Sequence, residues 1–419
     1  MNSFAYAALW FFIFSLPWES ILTLPGVYIV TKASGAFALA VVLFVVVVSG
    51  RLRRLQPFHA AALLFVVWAG IRALLTDYQR LGFPGKYWTF VQLLLVLWMI
   101  WELAPNRGRL LGLLSAYVLG AYVAALDTIL MYRHQGALMR RFAAGGGDPN
   151  DLANLLALAL PMAWYLAMNY RKPFVVWACR GYLIVGLIAL GLTGSRGGMV
   201  VAMVGLSIVP WTLTQLSAGK RVLGTVLICV GFAAVLIYTP TTLIERLAST
   251  GSDLGDAHIG GRGRIWLAGV KAFAQQPFFG YGTGMFKTAV RPFGINQIAH
   301  NAFLSVLVEQ GLVGLFFYLS MFGLVLLSIL NLRSFDRRFA LVLFGATVVA
   351  MMPLSWEDVK AVWFILGALI ALCNAPVPAP QPAPWQPPRP VPLRRGAGVG
   401  GFARGPAAPA SSGRLNARD

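Results

Sequence analysis

Long uninterrupted apolar runs are the feature of this sequence that most limits its fold. Crossing a hydrocarbon core of about 30 Å takes about 20 apolar residues in a helix, and runs of that kind recur along residues 1–374. Backbone polar groups within lipid must be satisfied inside the chain, which favours helices here. Only 11% of the residues are charged, against about 25% in soluble domains. The sequence therefore predicts an all-α integral membrane protein.

The apolar runs predict about twelve membrane-spanning helices, at 4–17, 33–50, 58–75, 87–104, 110–130, 151–169, 174–193, 198–217, 222–239, 301–330, 339–355 and 359–374. The first run is short and is compatible with a signal peptide. No small-residue cleavage pattern follows it, so we interpret it as an anchor of the mature protein. The cysteines lie inside predicted spans without ligand-like spacing, which indicates packing residues.

Basic clusters in alternate loops predict the orientation of the helices. Loops rich in Lys and Arg remain in the cytoplasm. The clusters are "RLRR" (51–54), "NRGR" (106–109), "RK" (171–172), "KR" (220–221) and "RSFDRR" (333–338). The same bias places both termini in the cytoplasm.

The opposite loops also carry cations, which the orientation rule does not explain. They contain Arg80, Lys86, Arg133, Arg140, Arg141, Arg196, Arg246, Arg262, Arg264, Lys271, Lys287 and Arg291. Guanidinium groups match phosphate in a fixed bidentate fork, so this excess indicates a polyanionic ligand. Binding to anionic membrane lipids is the alternative. Nucleic acid is not an expected partner, because no soluble basic domain is present.

The chain divides into a polytopic membrane domain at 1–374 and a Pro/Gly-rich tail at 375–419, which we expect to be disordered in the cytoplasm. The longest polar connection, 240–300, lies within the membrane domain and faces outward. Residues 262–276 have one apolar helical face, and the glycines of 277–286 can bring backbone close to a ligand. A connection this long indicates a lid or a functional site.

Three arginines of the outward face are candidate ligands for an anion. Arg196 lies in a glycine-rich turn between two spans, where it serves an outward cavity or only snorkels to the boundary. Arg262 and Arg264 lie at a predicted helix start. A cation there opposes the helix dipole, so the placement favours function over stability.

His300 lies where the long loop meets a span, and Glu309 lies nine residues further on. The usual histidine pKa of about 6.5 suits a general base, although many such residues only cap or pack. Glu309 is about 13 Å along the helix from His300, which is too far for contact. We expect Glu309 to have a structural partner on another helix.

Acidic residues suggest caps rather than a metal site. Asp148 or Asn150 is expected to cap the span that follows, and Asn154 is expected to be buried near its outward end. Asp253 and Asp256 lie in a Gly-rich link, and the other acids, His and Cys have no ligand-like spacing. The sequence therefore predicts neither a metal nor a cofactor.

The motifs together resemble those of the bacterial O-antigen ligase family. They are "DPND" (148–151), "SRGG" (195–198), R-x-x-x-W (262–266), P-x-x-G-x-G (277–282) and H-N-x-x-L (300–304). Each is weak alone, but their order and spacing are specific. The same superfamily contains O-antigen polymerases and protein O-oligosaccharyltransferases.

The resemblance implies a GT-C-like glycosyltransferase fold in the bacterial inner membrane, with the active site on the periplasmic face. It implies inverting, metal-independent transfer of a glycan from undecaprenyl pyrophosphate to a sugar hydroxyl of the lipid A-core. Arg196 and Arg262 match the pyrophosphate-binding arginines of the family, and His300 matches its essential histidine. Arg264 is an additional cation that can bind pyrophosphate.

Alternative functions use the same lipid-linked donor. A polymerase or a protein O-oligosaccharyltransferase differs from a ligase in its acceptor, and these motifs do not separate the three. A transporter of lipid-linked glycans belongs to another class. It predicts mid-membrane charges and internal symmetry, whereas the charges here concentrate in one outward loop.

Overall fold

The structure is a computed structural model that describes residues 2–24, 27–76, 85–135, 141–213, 217–238 and 262–376. These residues belong to one compact unit, Met1–Pro376. Within them the only strands are Thr23–Leu24 and Val27–Tyr28, which pair antiparallel. The predictions for 241–261, including Asp253 and Asp256, and for the tail beyond 376 lie outside the described residues.

The described residues form fifteen α-helices. These are α1 (Asn2–Ser15), α2 (Ile29–Ser49), α3 (Pro57–Leu74), α4 (Gly85–Leu103), α5 (Arg107–Gln135), α6 (Pro149–Asn169), α7 (Pro173–Thr193), α8 (Arg196–Leu206), α9 (Ile208–Leu213), α10 (Ala218–Tyr238), α11 (Arg262–Gln275), α12 (Phe286–Val290), α13 (Ala302–Leu330), α14 (Ser334–Met351) and α15 (Lys360–Cys373). Single 3-10 turns occur at Leu16–Trp18, Ala144–Gly146 and Arg291–Phe293.

The helices confirm an all-α membrane protein. In the described part of the chain, seven segments are long and apolar enough to cross a membrane, and they correspond to α2, α3, α5, α6, α7, α8–α9 and α13. Every other predicted span also coincides with a helix, but none of those helices is among the seven. The total of twelve spans therefore stays a prediction, as does the GT-C-like fold.

Helix α6 lies at the centre of the bundle, with most of its residues buried. Small residues let α8 approach it closely. A Cβ added at Gly198 would lie 2.4 Å from the Cβ of Ala153, and one added at Gly205 would lie 3.0 Å from the ring of Pro161. Small residues at helix contacts are typical of membrane bundles. The contact brings the first residue of α8, Arg196, beside the start of α6.

The glycine motif at 277–282 packs against a break in α13. Gly311 has φ 67° and ψ −170°, so the helix is interrupted there. The Gly282 N–H donates to the Glu309 carbonyl at 2.8 Å, and the Leu312 N–H donates to the Pro277 carbonyl at 2.8 Å. Gly280 has φ +68°, and a Cβ on it would lie 2.6 Å from the Glu309 carbonyl. The motif brings backbone close to α13, and the approach to a ligand stays a prediction.

Candidate functional site

His300 has an unusual backbone conformation just before α13. Its φ of 47° makes it the single non-glycine residue with positive φ in the described chain. Such a conformation costs about 1–3 kcal/mol and persists where the surroundings fix it. The His300 N–H donates to Ser355 Oγ at 3.0 Å, and the Trp266 indole donates to the Ala299 carbonyl at 3.1 Å. Asn301 caps α13 by accepting from the Leu304 N–H at 2.9 Å.

Arg262 and Arg196 are the first residues of α11 and α8, and both side chains are half-buried. Burial lowers the pKa of the Arg262 guanidinium, with Asp148 opposing the shift and Arg196 adding to it. The same Arg262 and Asp148 charges act on His300. Three predicted site residues thus lie in one electrostatic cluster with Asp148. We call Arg196, Arg262, His300 and Asp148 the cationic site.

The surroundings of the His300 imidazole favour its neutral form. Burial lowers its pKa below the usual value, Arg262 lowers it further, and Asp148 partly offsets both. Its Nδ1 is buried and has no hydrogen-bond partner among the described residues. A buried polar atom without a partner is uncommon and needs an explanation. A neutral imidazole with an unused nitrogen is able to accept or donate a proton near neutral pH.

Two helix caps are joined beside the cationic site. Asp148 caps α6 by accepting from the Asn150 N–H at 2.7 Å, which confirms the predicted cap. Asn150 Oδ1 in turn accepts from Arg141 at 2.8 Å and from Ser195 Oγ at 3.1 Å. Ser195 itself caps α8 through the Gly198 N–H. This network fixes the starts of α6 and α8 relative to each other, and with them Asp148 and Arg196.

Arg264 is not oriented like Arg262. Two residues along a helix correspond to a rotation of about 200°, so the two side chains leave α11 on nearly opposite sides. Arg262 is half-buried towards the site, whereas Arg264 is exposed. The sequence analysis kept both arginines as candidate pyrophosphate ligands, and helical geometry separates them.

Glu309 has structural partners, as the sequence predicted. Its carboxylate pairs with Lys86 of α4 at 2.8 Å and accepts from the Gly284 N–H at 2.9 Å. Lys86 also pairs with Glu357 at 2.5 Å. We call Lys86, Glu309 and Glu357 the acidic cluster. Lys86 was grouped with the outward cations in the sequence, but its ammonium points inward and is only 17% exposed.

The segment 355–357, between α14 and α15, connects the acidic cluster to the cationic site. Ser355 accepts from the His300 backbone, and the Trp356 indole donates to Asp151 of α6 at 2.8 Å. Ser305 of α13 donates to the Glu357 carboxylate at 2.5 Å. The sequence analysis missed this segment, because no motif marks it. A run of Ser, Trp and two acids between two apolar spans was the available signal.

Within the part of the chain that the structure describes, no three His, Cys, Asp or Glu side chains are grouped so as to hold a metal ion. Of the outward cations, Arg80, Arg140 and Arg246 lie outside that part. Among the described outward cations, Arg196 and Arg262 belong to the cationic site, and Arg141 lies beside it through Asn150.

The fold and the site together define a polytopic helical membrane protein with a cationic site at one end of its bundle. Residues 181–319 match the family model described as O-Antigen ligase. The match confirms the predicted resemblance to the O-antigen ligase family over these residues. It contains Arg196, Arg262, His300 and the glycine motif. No curated protein sequence matches the chain.

Proposed function

We propose that this protein transfers an O-antigen glycan from undecaprenyl pyrophosphate to a sugar hydroxyl of the lipid A-core. The observation that carries the proposal is the convergence of Arg196, Arg262 and a neutral His300 within the region that matches the family. The match to the O-antigen ligase model supports an enzyme that acts on lipid-linked glycans. The donor, the acceptor and the residue roles are our proposal.

In the proposed reaction the acceptor oxygen attacks the anomeric carbon of the donor sugar. The new C–O bond forms as the bond to the pyrophosphate oxygen breaks, and the bonding pair leaves with polyprenyl pyrophosphate. Attack on the face opposite the leaving group inverts the anomeric configuration. The hydroxyl proton passes to His300, because burial and Arg262 lower its pKa and so favour the neutral imidazole that can accept a proton.

Arg196 and Arg262 are proposed to bind the pyrophosphate. Negative charge grows on the leaving oxygens, and cations fixed there in advance stabilise the transition state. Both arginines begin helices, so N–H groups at the starts of α8 and α11 lie close to the same charge. The lowered pKa of Arg262 reflects partial desolvation, which an anion would compensate. Arg264 is assigned at most an outer electrostatic role, because it faces away.

The proposed location is the bacterial inner membrane, with both termini in the cytoplasm and the site on the periplasmic face. The basic loops at 51–54, 106–109 and 333–338 support this orientation. In that orientation the donor pyrophosphate lies at the membrane surface while its polyprenyl chain stays in the bilayer. A polymerase or a protein O-oligosaccharyltransferase would use the same donor and differ in the acceptor.

Reconstitution tests the proposal directly. The purified protein in liposomes receives a lipid-linked glycan with one of three acceptors: rough lipopolysaccharide, a second lipid-linked glycan or an acceptor protein. We expect extension of the lipopolysaccharide, unchanged transfer in EDTA, and none in His300→Ala. General-base loss costs about 10²–10⁴-fold in rate. Extension of another acceptor would overturn the ligase assignment, and full activity of a folded His300→Ala would overturn the mechanism.

A further inference from the structure

A groove on another side of the bundle is separate from the cationic site. Its volume is about 410 Å³, and it lies among α1, α2, α4 and α15. Its deeper wall is apolar and includes Phe12, Leu39, Val96 and Met99. Pockets for small molecules have volumes of about 300–1,000 Å³ and mostly apolar walls.

The two ends of the groove differ in polarity. Thr31, Lys32, Thr89 and Lys360 line it near the first turns of α2, α4 and α15, so three helix starts surround one mouth. Helix starts and lysines both favour anions. Lys360 is paired with Glu19 at 2.7 Å, while Lys32 is exposed, so the mouth keeps a net positive charge.

The depth of the apolar part matches one leaflet of a bilayer. The lining residues of α4 run from Thr89 to Met99, a helical rise of about 15 Å. Half of a hydrocarbon core of about 30 Å is also about 15 Å. A cationic mouth above an apolar groove of this depth has the polarity profile of a phosphate-bearing lipid with a long chain.

We infer that this groove binds the lipid of the acceptor, a phosphorylated glycolipid, with its phosphate at Lys32 and an acyl chain along Leu39 and Met99. The inference rests on the proposed function for the identity of the acceptor. The donor pyrophosphate is assigned to cations of α8 and α11, whereas the groove has its own cations on α2 and α15. Lys360, the first residue of α15, lies three residues beyond the segment 355–357, whose Ser355 accepts from the His300 backbone. The two lipids are therefore assigned to different helices.

Two variants address the two ends of the groove, each with a matched control. Ala36→Trp fills the groove from an exposed position of α2. Val48→Trp introduces the same side chain at an exposed position of α2 more than two turns beyond the last lining residue, Leu39. Lys32→Glu reverses the charge at the mouth. Lys271→Glu makes the same change at an exposed position of α11.

Binding is measured in His300→Ala protein, which cannot turn over, with fluorescent rough lipopolysaccharide in detergent micelles. We expect Ala36→Trp and Lys32→Glu to weaken binding about tenfold, since one membrane-surface charge contributes about 1 kcal/mol and its reversal more. The controls should bind like the parent. Dephosphorylated lipopolysaccharide should bind more weakly and be insensitive to Lys32→Glu.

In the otherwise wild-type enzyme, the same two variants should raise KM for lipopolysaccharide and leave KM for the lipid-linked donor unchanged. Equal binding by all four variants would overturn the inference. Competition by phosphatidylglycerol as strong as that by lipopolysaccharide would also overturn it, because the groove would then hold any anionic lipid. Failure of the proposed function would give a different result: the wild-type protein would show no transfer, whatever the outcome of the binding measurements.

Discussion

The acidic cluster and the cationic site both lie near the start of α13, and they differ in burial and in how closely their charges are paired. The acidic cluster is buried, and its lysine bonds to both carboxylates at 2.8 Å or less. The cationic site is half-buried and has Asp148 against two arginines. Removing one partner of a closely paired buried charge is costly to the fold, whereas cations in excess at a half-buried boundary are available to a ligand.

The largest expected effect separates the two arginines at the start of α11. Arg262→Gln removes a cation from the site and should lower kcat about 10²–10³-fold, as loss of one preorganised transition-state donor does. Arg264→Gln changes an exposed side chain and should stay within about twofold. Initial rates in the reconstituted transfer assay measure both, with the melting temperature as a folding control.

A reversed order of these two effects would assign the site to the opposite face of α11. Equal losses of kcat in both variants would instead indicate that transfer depends on the total positive charge at the start of α11 and not on the position of one guanidinium group.

The acidic cluster should respond in stability. Lys86→Met leaves Glu309 and Glu357 buried without their cation, and breaking a buried pair this way costs about 3–5 kcal/mol. We expect a large fall in the melting temperature in detergent. Lys271→Met, at an exposed position, is the control. Adding Glu309→Gln and Glu357→Gln to Lys86→Met should restore much of the loss, because the uncompensated charges are then gone.

The contrast between the two groups would fail if Lys86→Met melted like the wild type but lost all transfer. Lys86 would then act in the chemistry, together with the outward cations among which the sequence first placed it.

The sequence predicted the helical class and a partner for Glu309, which follow from local composition and from the cost of a lone carboxylate in lipid. The roles of Arg196, Arg262 and His300 came from the resemblance to a family and stay a prediction. The sequence did not predict the orientation of Lys86, because a lysine at the start of a span reads equally as a surface cation. Nor did it predict the role of Gly280 and Gly311, which is evident only once two distant segments are in contact.

The segment 355–357 also could not be predicted from the sequence. Ser355, Trp356 and Glu357 each bond to a different helix or helix start, through contacts made with residues more than 50 positions away. No local pattern encodes such contacts. The tertiary packing of α13 and α15 creates them, and the left-handed backbone of His300 depends on one of them.

The smallest expected effect is a shift in pH dependence that only the cationic site should show. The base must be neutral, and burial and Arg262 lower the pKa of His300. kcat/KM should therefore stay constant from neutral pH downward and fall only at a pH below the usual histidine pKa of about 6.5. Asp148 opposes this lowering, so Asp148→Asn should move the acid limb to still lower pH. Asn caps a helix about as well as Asp, which keeps α6 intact.

Arg262→Gln should move the same limb in the opposite direction, because a cation that disfavours imidazolium is removed. Both shifts are measured from the profile of kcat/KM between about pH 4 and 8. The residual activity of Arg262→Gln is sufficient to define its profile. Lys271→Met serves as the control, with no shift expected. Shifts of the same sign in Asp148→Asn and Arg262→Gln would contradict the assignment of the limb to His300, since removal of opposite charges must move the pKa of one neighbouring group in opposite directions.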